Sequence, residues 1–139
     1  MMRRGMQGLA QALLMPINTA VVVILGFFTS IWGLWIFSPL WNAFDGATVY
    51  ANMAFLPEMI WGGIGLLTGI MMIYGVFRNS FRSLTFGAKI GFYHWITVGI
   101  LLLLGNWQCT LGPLAIMLAV YCSFVWLNIK VNRHNIPFN

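Results

Sequence analysis

The stretch LPEMIWGGIGLLTGIMMIYGVFRN, residues 56–79, decides the fold. Between Glu58 and Arg78 it carries no charged side chain, and glycines stand at 62, 63, 65, 69 and 75. A run of roughly 20 apolar residues, rising 1.5 Å each as a helix, reaches across a hydrocarbon layer of about 30 Å. A helix of that length on a soluble protein would keep a polar face. This one has none, so it reads as a membrane span.

The rest of the chain agrees. Its 139 residues are 60% hydrophobic and 6% charged, with a mean hydropathy of +0.86. Two acids and seven basic residues cannot cover the surface of a soluble domain of this size. Three further runs are long enough to span: residues 17–37, 90–107 and 111–129, none with an internal Lys or Arg. The expected fold is therefore all-α, a single-domain integral membrane four-helix bundle with spans at 17–37, 56–77, 90–107 and 111–129.

Basic residues set the expected orientation, because Lys and Arg are retained on the cytoplasmic side during insertion. Arg3 and Arg4 precede the first span, Arg78, Arg82 and Lys89 separate the second from the third, and Lys130 and Arg133 follow the fourth. All seven fall on one side, while Asp45 and Glu58 fall on the other. Both termini are thus expected to be cytoplasmic, with residues 130–139 as a cytoplasmic tail. The net charge of +5 is accounted for by contact with anionic headgroups and calls for no nucleic acid.

A cleaved signal peptide is the competing reading of the first span. Its apolar run of about 21 residues exceeds the roughly 7 to 15 of a signal h-region, and no small-x-small site follows promptly, so a permanent helix is expected. Ahead of it, residues 1–15 place Met2, Met6, Leu9 and Leu13 on one helical stripe and Arg3, Gln7 and Gln11 on another. That pattern predicts a short N-terminal amphipathic helix lying in the interface. Residues 38–55 form the long outside connection, and NWQCTLGP is a tight turn that makes the last two helices antiparallel neighbours.

In lipid, helices associate by close backbone approach, which small residues permit. Gly62, Gly65 and Gly69 share a face of the second span, Gly87, Gly91 and Gly99 a face of the third, and Ala115, Ala119 and Ser123 a face of the fourth. Gly26 and Ser30 do the same on the first. These flanks can satisfy each other inside one bundle, or they can form the seam of a homo-oligomer; packing within the bundle is the reading expected here.

Two polar residues stand out. Glu58 follows Pro57 in the first turn of its helix, where a carboxylate can accept from free N–H groups and meets the positive end of the helix dipole. His94 lies five residues past Lys89, about 7 Å inward from the inner boundary, and is expected to hydrogen-bond a neighbouring helix or to reach toward headgroups. On that register Glu58 and His94 begin at opposite membrane faces. Cys109 and Cys122 are separated by roughly 16 Å of helix and are read as packing residues. No phosphate loop, nucleophile elbow or metal-ligand spacing occurs, so no catalytic, cofactor-binding or metal residue is expected and the chain is read as not an enzyme.

The order of LPEMIWGGIGLLTGI, RNSFRSL, GFYHWITVGILLLLG, a short turn and LAIMLAVYCSFVWL resembles small four-span membrane proteins encoded by tailed phages and prophages. Pro57, Trp61, Gly62, Gly69, Arg78, Arg82, Trp95 and Trp126 carry the resemblance, which covers about residues 50–129. It implies residence in the bacterial inner membrane of a phage host or lysogen, with no cofactor and no catalytic residues. Three functional expectations follow: a non-enzymatic protein acting through helix packing, oligomerisation or partner binding; a holin-like pore former; or an accessory subunit of a larger membrane complex.

Overall fold

The computed structural model describes residues 19–38, 44 and 48–132. The expected interfacial helix, much of the outside connection including Asp45, and the end of the basic tail lie outside the described residues. Four α-helices follow in order: α1 (Thr19–Phe37), α2 (Glu58–Phe77), α3 (Phe81–Gly105) and α4 (Leu111–Asn132), with a 3-10 helix at Thr48–Met53 between α1 and α2. All four are long and apolar enough to cross a membrane. Arg78, Arg82, Lys89 and Lys130 gather at one end of the helices, the basic end, and Glu58 opens α2 at the other.

One boundary differs substantially from its expectation. The third helix begins at Phe81, nine residues before Ile90, so most of the expected basic connector is helical. The connection shrinks to three residues, Arg78, Asn79 and Ser80. Asn79 takes a left-handed φ of 50°, its N–H bonds Val76 O at 3.2 Å, and the Ser80 N–H bonds Gly75 O at 2.8 Å. This pair of bonds closes the last carbonyls of α2 in a Schellman arrangement, and Asn tolerates the left-handed position better than most residues. Ser80 then caps α3, its Oγ accepting from Ser83 N at 3.5 Å. Leu84 and Ala88 are buried on the new turns, which explains why a segment too polar to register as a span still folds as helix.

Helices pack in sequential pairs: α1 on α2, α2 on α3, α3 on α4. The first seam is the tightest. A Cβ on Gly33 would overlap the Leu66 amide nitrogen, and one on Gly69 would overlap Ser30 Oγ and the Gly26 carbonyl. Backbones at these points touch without intervening side chains, the geometry that lets lipid-embedded helices attract by dispersion and close contact. The α3/α4 seam repeats the device, since a Cβ on Gly99 would stand 2.8 Å from Ile116 Cγ1. No comparable packing joins α1 to α4, so the four helices form an open arrangement rather than a closed ring. Across the gap the 3-10 helix packs onto α3 at the Glu58 end.

Gly69→Leu is expected to lose about 1–3 kcal/mol of stability or more through overpacking against Ser30 and Gly26. Gly63→Ala, whose new methyl would meet only the Phe37 ring at 3.9 Å, is expected to stay within about 1 kcal/mol of the parent, helped by helix propensity. Thermal unfolding of the two variants in the same detergent checks both, and equal melting points would contradict the seam.

Candidate functional site

Three tryptophans and one histidine from three helices meet between α1, α2 and α3. The His94 ring lies 5.3 Å from Trp32, 5.4 Å from Trp95 and 6.2 Å from Trp61, centroid to centroid. Trp32 and Trp95 are 5.0 Å apart. Most of these contacts are edge-on or tilted, the orientation that matches a ring's positive rim to its neighbour's negative face. His94, Trp61 and Trp95 are buried, and Trp32 is half-buried.

Polar bonds fix two of the rings. The Trp95 Nε1–H donates to Thr29 Oγ1 at 3.2 Å, and that hydroxyl donates in turn to Leu25 O at 2.8 Å, one turn back on α1. The Trp61 Nε1–H donates to Met53 O at 3.0 Å and pins the 3-10 helix to α2. Each indole thereby keeps a partner away from water, as buried Trp usually does.

His94 departs from both expectations placed on it. Among the described residues its two ring nitrogens have no hydrogen-bond partner, because the neighbours at its level are indole rings and Gly65, whose Cβ position lies 3.4 Å from Nε2. Its depth differs as well. Thirteen residues separate it from Phe81 and eleven from Gly105, so it sits about 20 Å from one end of α3 and about 16 Å from the other. Lys89, from which the inner boundary is counted, lies eight residues inside α3 rather than at its start. His94 packs against Trp61, one helical turn from Glu58, so the two are not separated by the full membrane as expected.

Glu58 marks the start of α2, though not by capping its own helix. Pro57 precedes it with no side-chain cap bond, and Glu58 Oε1 accepts instead from the Phe44 N–H at 2.7 Å. The carboxylate ties Phe44, from the connection between α1 and α2, to the start of α2. Phe44 stacks on Tyr50 at 5.2 Å, and Tyr50 reaches the gap between α1 and α4. Burial raises the Tyr50 phenol above its ordinary value, with Cys109 adding to the shift, so the ring meets the gap uncharged.

That gap is a cleft of about 340 Å³. Phe28, Trp32 and Trp35 of α1 form one wall, Leu114 and Leu118 of α4 the other, and Trp95 and Val98 of α3 the floor. Trp32 and Trp95 therefore serve twice, as lining of the cleft and as the partition that screens His94 from it. Apart from Tyr50 the lining is aliphatic, phenyl and indole, and the sequence pattern missed the cleft for that reason: its helical walls are of the same chemistry as lipid-facing surface.

The small residues expected at helix interfaces lie mostly inside this chain. Gly62 faces Phe37 and Gly33; Gly65 faces Trp32; Gly69 faces Ser30; Gly87 faces Met72; Gly91 lies between Thr68 and Cys122; and Gly99 faces Ile116. Ala115 and Ala119 are buried on α4, whereas Ser123 is partly exposed and returns its hydroxyl to Val120 O at 2.7 Å. Cys122 continues the buried stripe in its place, since 112, 115, 119 and 122 hold one face at 3.6 residues per turn and 123 turns away. Both cysteines are free. Among the described residues no group of three His, Cys, Asp or Glu side chains converges.

Two outcomes are expected here. His94→Leu removes two unpaired nitrogens at the cost of three ring contacts, so stability should change by less than about 1 kcal/mol; a loss above about 3 kcal/mol would show that a nitrogen is partnered. Glu58→Ala should cost about 1–2 kcal/mol and speed amide exchange at Phe44, while Glu58→Gln keeps an acceptor and should cost less. Thermal unfolding and residue-resolved hydrogen exchange measure these.

Comparison with known proteins adds no identity to this geometry: no protein-family model, curated protein or solved structure matches the chain.

Proposed function

We propose that the chain is a non-enzymatic integral membrane protein that receives an apolar helix of a membrane partner in the cleft between α1 and α4. The observation that carries this reading is the contrast between the seams. The glycine flanks of α1, α2 and α3 are taken up against one another and against α4 within a single chain, while the cleft leaves Trp35, 53% exposed, and Leu114 facing outward. A concave apolar wall two helical turns long suits the large side chains of a neighbouring helix, which dock by shape where lipid offers no hydrophobic contrast. An aromatic-rich rim adds rigid contact area at low entropic cost.

This makes the chain a subunit or accessory protein rather than a catalyst. The distribution of basic residues supports insertion with the basic end in the cytoplasm. The phage-like order of residue types supports a bacterial inner membrane as its setting.

A photo-crosslinker placed at Leu114 in the native membrane is expected to give one discrete protein adduct, and the same group at Tyr93 none. Ala115→Trp, which fills the cleft from its own wall, should abolish the Leu114 adduct. An adduct at the mass of two copies would make the partner a second copy of this chain. A Leu114 adduct that persists in Ala115→Trp, or none at all, would remove the reading.

A further inference from the structure

The opposite end of the molecule carries a second recess of different character. Between α3 and α4 lies a groove of about 590 Å³ whose lining includes Arg82, Phe86 and Lys89 from α3 and Trp126 and Lys130 from α4. The spacings explain the convergence. Residues 82, 86 and 89 recur at helical intervals on one face of α3, and 126 and 130 do so on α4. Antiparallel packing brings the two faces together, with the Lys89 ammonium 5.1 Å from the centre of the Trp126 ring.

Three cations thus edge a recess whose inner walls are aromatic. All three are exposed, and among the described residues the sole carboxylate, Glu58, stands at the far end of α2. Clustered like charges at the margin of a low-dielectric layer call for an anion. Its shape requirements follow from the walls. Arg82 and Lys89 are about 10.5 Å apart along α3, within reach of one anion through their long side chains, and Phe86 is largely exposed between them, so an ion alone would leave the ring uncovered. A ligand that satisfies the whole groove has an anionic head at the membrane margin and an apolar chain running along the rings. Its volume falls within the range of small-molecule sites, roughly 300–1,000 Å³.

We propose that this groove is a seat for one anionic glycerophospholipid, its phosphate held among Arg82, Lys89 and Lys130 and an acyl chain laid along Phe86 and Trp126. The seat is separate from the cleft between α1 and α4 and does not rest on the reading given to that cleft. Lys89 keeps its place over the indole while its remaining N–H groups turn to the phosphate. Trp126 is the reporter that the site supplies.

The test uses the full chain in nanodiscs of phosphatidylcholine doped with brominated phosphatidylglycerol or brominated phosphatidylcholine, reading tryptophan quenching. Subtracting the signal of Trp126→Phe isolates Trp126 from the other tryptophans. Half-quenching of Trp126 is expected at a far lower fraction of the anionic lipid than of the zwitterionic one. Each cation removed should weaken that preference by about fivefold, the effect of roughly 1 kcal/mol per basic residue at the membrane surface. Lys89→Gln tests one step, the triple change Arg82→Gln, Lys89→Gln and Lys130→Gln should abolish the preference, and Lys89→Arg should retain it. Exposed positions make these variants fit to fold, and unchanged melting points confirm it. Equal quenching by both lipids, or a preference that survives the triple change, would overturn the proposal. So would displacement of the lipid by millimolar inorganic phosphate, which would make the groove a site for the free anion.

Discussion

Close backbone contact between α1 and α2 is the constraint on which the other features depend. In a medium as apolar as the side chains themselves, no hydrophobic force draws helices together. Attraction must come from many short contacts, and these require that nothing bulky stand between the two backbones. At Gly33 and Gly62 each helix fills the space that a Cβ of the other would need. Once that contact is made, the rotation of α1 about its own axis is fixed, and with it the direction of Trp32 and Thr29. Trp32 then has one place to go, against His94 and Trp95, and Thr29 becomes the acceptor for the Trp95 indole.

Bulk is therefore distributed in a definite way. Small residues lie at the seams and large rings fill the one region where three helices diverge. The tryptophan and histidine cluster fills the space between α1, α2 and α3, and its Trp32 and Trp95 also line the cleft beside α4. Had position 95 carried a small residue, α1 could lie closer to α3, and the cleft would lose its floor. His94 fits this role as a flat, edge-on ring, and its unpaired nitrogens are tolerable because a neutral imidazole carries no full charge into the interior. Glu58, for its part, acts at the surface by fastening Phe44 across the top of the same region.

How much of this can be read from residues alone depends on contrast. The existence of four spans is plain because apolar runs differ sharply from the basic segments between them. The start of α3 is not, because Phe81, Leu84 and Ala88 alternate with Arg82 and Lys89, and a hydropathy threshold reads that mixture as a connector; the signal that locates it is the Asn79-Ser80 pair, a left-handed stop followed by a cap. The misplaced start also hid that His94 lies near the middle of its helix rather than near one end. On α4 the small-residue stripe is legible through Ala119 and then drifts, since four-residue steps alone overrun a period of 3.6 and lead to Ser123 where the buried face holds Cys122. The cleft has no signature in the sequence, as its walls are of the same chemistry as the lipid-facing surface.

Helix α4 has an arrangement that neither of its recesses shows alone. It forms one wall of the cleft near Leu114 and one wall of the basic groove near Trp126, and it is held to α3 along the length between them, where Gly112 meets Leu103, Ile116 meets Gly99 and Cys122 meets Gly91. A rod seamed to its neighbour at three levels cannot tilt at one end alone, so α3 and α4 carry both recesses on one common frame.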